Sequence, residues 1–109
     1  GQDIPGRMAF GPYDKTIPKG HYRAKFRLKV STNNSTQNTA LVDISSDSAG
    51  FEPAYKFISS QEFNKPNEYQ EFLLDFYKPT DEGYVEFRTY HYGVTDLYFD
   101  RVDLYTLSE

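Results

Sequence analysis

The sequence predicts an all-β fold, two antiparallel sheets packed as a sandwich, and three observations carry that prediction. Aromatic residues abound, Tyr 10 and Phe 9 in 109 residues, and such side chains suit pleated, half-buried surfaces. Several segments alternate apolar and polar residues at the period of a strand, and no window of 11 or more carries a helical stripe. The joints between them are mainly Gly, Pro, Asn, Ser and Asp, the turn formers that space short strands in sandwiches. At this length one domain spanning 1–109 buries a core without disulfides. The chain has no Cys, which excludes disulfides and thiolate metal sites.

The first strand is predicted over 8–13, closed by the 14–20 segment, where Pro18 and Gly20 are turn formers. Along the second, Tyr22, Ala24, Phe26, Leu28 and Val30 alternate with Arg23, Lys25, Arg27 and Lys29, so one face is apolar and the other basic. A polar turn at 31–38 follows, and it contains two overlapping Asn-x-Ser/Thr sequons beginning at Asn33 and Asn34. Residues 41–46 and 52–59 read as the third and fourth strands. The only short helical candidate is 59–64, which Pro66 stops from growing. In the fifth strand Gln70, Phe72, Leu74 and Phe76 alternate with Tyr69, Glu71, Leu73 and Asp75. The sixth is VEFRTYHY at 85–92, and the seventh runs over 97–107. In that last strand the apolar positions are odd at Leu97 and Phe99 but even at Val102 and Leu104. The change of parity across Asp100-Arg101 predicts a β-bulge there.

With net charge −4 and cations interspersed among the acids, the chain lacks the positive footprint of a nucleic-acid binder. No apolar run approaches the roughly 20 residues of a membrane span, and no signal-peptide pattern is present. The abrupt opening at Gly1-Gln2-Asp3 reads as a domain cut from a longer chain.

The candidate chemistry lies in the sixth strand. Glu86, Arg88 and Tyr90 fall on its non-apolar face, with Tyr92 just beyond. A sugar presents apolar CH faces rimmed by hydroxyls, so its site wants aromatic platforms beside charge-assisted hydrogen-bonding groups. Those are the residue types here, and neighbouring strands could add Asp43 and Tyr69. A purely structural role, Tyr packed on Arg and Arg paired with Glu, fits the same residues. A second cluster of aromatics, Phe10, Tyr13, Phe51, Tyr55 and Tyr92, lies near turns, where binding residues often sit. The basic stripe of the second strand is expected to pair across the sheet with Glu71, Asp75 or Glu86. Enzyme chemistry is not expected: the two His stand apart in sequence and no nucleophile elbow is present.

The segments FGPYDKTIPKGHYRAKFRLKV, LVDIS, NEYQEFLLDF and VEFRTYHYGVTDLYFDRVDL together resemble galactose-binding-like jelly-roll modules, over 10–104. The segments resemble in particular the carbohydrate-binding modules appended to extracellular polysaccharide-active enzymes. This resemblance implies a secreted, monomeric, non-catalytic module that binds a polysaccharide or oligosaccharide beside a covalently linked catalytic domain. It also implies a structural calcium, held by Asp100 in the last strand with Asp3 and Asp103 near the termini; calcium takes 6 to 8 oxygen ligands. With no Trp, the contacts to sugar would be made by Tyr and of modest affinity. The alternative from another class is a structural or protein-interaction sandwich accessory to a larger enzyme.

Overall fold

The computed structural model describes residues 6–9 and 15–107, and their side chains from residue 17 onward. Among the described residues, eight strands form two antiparallel sheets: β1 (Gly6–Ala9), β2 (Lys15–Thr16), β3 (Gly20–Val30), β4 (Asn38–Ser46), β5 (Ala54–Ser59), β6 (Gln70–Lys78), β7 (Tyr84–His91) and β8 (Leu97–Thr106). In the first sheet the order is β1-β7-β4-β5, with β2 also pairing β7; the second sheet is β6-β3-β8. The only helical piece among the described residues is a 3-10 turn at Ser60–Glu62, inside the segment marked as a short candidate. None of the described helices is long and apolar enough to cross a membrane. Of the predicted first strand, 10–13 lies outside the described residues, and β1 begins two residues earlier than expected.

Alternation decides which side chains meet between the sheets. In β3, Tyr22, Ala24, Phe26, Leu28 and Val30 are buried while every intervening residue is partly open. β7 buries Val85, Phe87, Thr89 and His91 in the same manner. Phe26 of the second sheet meets Phe87 of the first edge to face, with centroids 6.4 Å apart, and Phe76 meets Phe87 at 6.1 Å. These contacts join the two layers, and each buried aromatic contributes roughly 2 to 3 kcal/mol by leaving water.

The predicted bulge in β8 is present. Arg27 pairs with Arg101 and Leu28 with Phe99, which leaves Asp100 as the extra residue. The bulge resets the parity, so Leu97 and Val102 both reach the core. A second irregularity falls in β4, where Asn38 pairs with Ser59 and Ala40 with Ile58, skipping Thr39. The Thr39 carbonyl accepts from the Tyr92 N–H at 3.0 Å, which carries the β4/β7 pairing one residue past the end of β7.

Candidate functional site

The site is built on the outward face of the first sheet, because β7 and β4 pair so that Arg88 stands directly opposite Asp43. Arg88 Nε donates to Asp43 Oδ1 at 2.8 Å and Nη2 donates to Oδ2 at 2.9 Å. This is the two-pronged geometry that makes guanidinium and carboxylate a specific pair. Both side chains are largely covered, 23 % and 15 % exposed. The bond to Asp43 pushes the Arg88 guanidinium pKa further up; partial burial opposes it, and the charges of Asp43, Tyr90 and Glu86 add to it. Arg88 thus remains a fixed cation.

Register lines up two cross-strand rows on this face. Tyr55 of β5 pairs with Asp43, which pairs with Arg88; Phe57 pairs with Leu41, which pairs with Tyr90. Tyr55 and Phe57 are 64 % and 47 % exposed on the edge strand and meet edge to face at 5.9 Å. Their exposure has a local cause: in β5 the buried position is Ile58, so Tyr55 and Phe57 fall on the opposite parity.

Each end of the face holds an open depression. One, of about 350 Å³, is lined by Ser45, Ser46, Asp47, Tyr84 and Glu86. Asp47 Oδ1 accepts from the Tyr84 N–H at 2.7 Å, and Gly83 just before it has φ +93°, with room for no Cβ beside Asp47 and Ser48. The other, of about 600 Å³, is lined by Thr36, Gln37, Asn38, Phe57, Tyr92 and Val94.

Of the residues singled out in the sequence, Glu86, Arg88, Tyr90, Tyr92, Asp43 and Tyr55 share this face or its ends. Tyr13 lies outside the described residues. Tyr69 does not join them. It leads into β6, which belongs to the other sheet, and its ring carries Arg27 at 5.1 Å and Lys29 at 4.9 Å. Sequence reasoning left out Phe57, Leu41 and Tyr84, although each lies two residues from a residue it chose, the spacing that keeps a strand residue on one face. His91 is buried, with Nε2 2.7 Å from the Thr95 carbonyl, whereas His21 meets the Tyr77 ring in a tilted contact at 4.6 Å on the other sheet.

No protein-family model, curated protein or solved structure matches the chain.

On the outer face of the second sheet the charges are met by partners of the same sheet. Arg23 makes a two-pronged pair with Asp75 at 2.7 and 3.0 Å, which holds the Asp75 carboxyl below the usual carboxylate range. Lys25 lies 4.6 Å over the Tyr105 ring, and Lys29 lies between Tyr69 and Tyr98, 4.7 Å from the latter. These are cation-π contacts. The expected cross-strand pairing of the basic stripe therefore holds for Asp75, with tyrosines taking most of the remaining partners.

Asp100 and Asp103 are engaged in the same way. Arg101 donates to Asp100 Oδ2 and to Asp103 Oδ2, each at 3.0 Å. Arg27 Nε lies 2.9 Å from Asp100 Oδ2, an ion-pair contact whose N–H is not aligned as a hydrogen bond. Among the described residues no group of three or more His, Cys, Asp or Glu is placed to hold a metal, and Asp3 lies outside them. Two guanidiniums around Asp100 are the wrong company for calcium, which needs hard oxygens on all sides. The described donor set does not fit that ion.

Proposed function

We propose that the chain is a non-catalytic carbohydrate-binding module, which holds an attached enzyme near an extracellular polysaccharide and raises its local concentration there. The observation that carries this reading is a contrast between the two outer faces. Tyr69, Tyr98 and Tyr105, on the side of the second sheet, each have a cation over one face of the ring, so that face is already used. On the first sheet, Tyr55 and Phe57 are exposed and touch each other only by an edge, beside a guanidinium-carboxylate pair locked in place by two hydrogen bonds.

In this reading Tyr55 and Phe57 stack on sugar CH faces. Arg88 donates to ring or hydroxyl oxygens, and Asp43 and Glu86 accept from hydroxyls. Because Asp43 and Arg88 hold each other, little side-chain entropy is lost when sugar binds. Affinity electrophoresis of wild type and Tyr55→Ala through gels containing soluble polysaccharides tests the assignment. Loss of one stacking platform is expected to weaken binding by about 1 to 1.5 kcal/mol, or roughly five- to twelvefold, with the melting temperature held. Equal migration of the two proteins on every gel that retards wild type would remove Tyr55 from the site.

A further inference from the structure

The depression of about 600 Å³ lies across the strands of the first sheet rather than along one of them. Its lining takes Phe57 from β5, Asn38 from the start of β4 with Thr36 and Gln37 just before it, and Tyr92 and Val94 from the segment after β7. Because β4 lies between β5 and β7, Phe57 and Tyr92 stand on opposite sides of it, two strand spacings or about 10 Å apart. Both rings are exposed.

Two side-chain amides stand between them. Gln37 and Asn38 are exposed, and among the described residues neither amide group has a hydrogen-bond partner. The backbone that presents them is nevertheless fixed. Ser35 N–H donates to the buried Ser60 Oγ at 3.1 Å, Ser60 Oγ donates to the Ser35 carbonyl at 2.8 Å, and Gln37 N–H donates to Ser35 Oγ at 3.1 Å. Little backbone ordering would therefore be needed when a ligand arrives. None of the lining residues is charged, so the depression offers stacking surface and neutral hydrogen bonds. An amide carries two N–H donors and a carbonyl acceptor, which complements neighbouring hydroxyls that each donate and accept.

Phe57 also heads the cross-strand row Phe57, Leu41, Tyr90, which the register of β1 extends to Arg7. That row has the depression on one flank and the row of Tyr55, Asp43 and Arg88 on the other, the latter two strand residues or about 6.6 Å away. Tyr84 is six residues from Tyr90 along β7, about 20 Å, and the depression beside it lies at the far end of the face.

Resting on the carbohydrate reading above, we infer that the glycan chain crosses the strands over Phe57, Leu41 and Tyr90, and that Gln37, Asn38 and Tyr92 form the subsite that selects its sugar by hydroxyl arrangement. The row spans β5, β4, β7 and β1, three strand spacings or about 14 Å, and so takes a short stretch of chain. Arg88 and Asp43 meet that stretch from one side and the amides meet it from the other. Tyr84 lies off the path.

The test is affinity electrophoresis of wild type, Tyr92→Ala, Tyr92→Phe, Gln37→Ala/Asn38→Ala and Tyr84→Ala through gels containing β-glucan, galactomannan, xylan or polygalacturonate, with thermal melting of each variant. On a gel that retards wild type, Tyr92→Ala and the double variant are each expected to bind roughly two- to twelvefold more weakly, from the lost stacking contact and the lost amide hydrogen bonds respectively. Tyr92→Phe keeps the ring and Tyr84→Ala changes nothing on the path, so both should stay within about twofold of wild type. All four variants alter exposed side chains and should melt within about 3 °C of it. Equal migration of wild type, Tyr92→Ala and the double variant, or a loss in Tyr84→Ala as large as that in Tyr92→Ala, would overturn the crosswise path and leave the carbohydrate reading standing. Free migration of wild type through every gel would overturn the carbohydrate reading itself, and this inference with it.

Discussion

Lys78→Met is expected to lower the melting temperature by roughly 10 to 20 °C, from a loss of about 2 to 3 kcal/mol in a domain of this size. Lys78 follows the inward parity of Phe72 and Phe76 at the end of β6, and its side chain is fully buried. An ammonium in that position is tolerated only because its donors are met. Nζ donates to the Thr80 carbonyl at 2.6 Å and to the Glu82 carbonyl at 2.7 Å, so the cation holds the 79–83 loop folded over the end of the sandwich. Methionine matches the stem but leaves the Thr80 carbonyl without this donor; Glu82 keeps the Thr80 hydroxyl at 2.9 Å. Relief of the ammonium's desolvation offsets part of the cost, which sets the estimate below two full unsatisfied carbonyls. Thermal melting by circular dichroism reads it, and a shift under about 3 °C would mean the lysine is not holding the loop.

Arg88→Ala carries the second large effect, and it falls on two observables. Removing a charge-assisted donor from the sugar is expected to cost about 1.5 to 3 kcal/mol of binding, or roughly 12- to 150-fold in affinity. The same substitution leaves Asp43 a covered carboxylate without its partner, at a cost of about 1 to 3 kcal/mol of stability. The double variant Asp43→Ala/Arg88→Ala separates the two. With no covered carboxylate left to desolvate, it should recover stability relative to the single variant, while affinity stays low. Recovery of binding in the double variant would show that Arg88 acts only to quiet Asp43.

How much of this was legible in the sequence follows from what alternation encodes. The burial of Phe26, Leu28, Phe72, Phe87 and Val102 follows from period-two patterning alone, with Leu74 only half-buried at the edge strand β6. The bulge at Asp100 was readable because a parity change has few other causes. The outward set Glu86, Arg88 and Tyr90 was readable for the same reason. Strand neighbours were not, since pairing is decided by contacts distant in sequence. That is why Asp43 came to the right place beside Arg88 while Tyr69 fell in the other sheet. Lys78 shows the opposite case. Its parity pointed inward, but a lysine ending a strand normally reads as solvated, and only the carbonyls of the following loop make burial possible. Calcium at Asp100 and Asp103 was expected from resemblance alone, and in the fold the guanidiniums of Arg27 and Arg101 lie against these carboxylates.

The central claim is that sugar is bound by the outward face of the first sheet, and amide chemical shifts during a glycan titration test it most directly. The oligosaccharide matching whichever gel retards the chain would be added stepwise to uniformly labelled protein. The account predicts concentration-dependent shifts at Leu41, Asp43, Tyr55, Phe57, Glu86, Arg88 and Tyr90, with the β3 amides from Arg23 to Lys29 unmoved. Shifts confined to β3, β6 and β8, or a spectrum unchanged at saturating sugar, would contradict it.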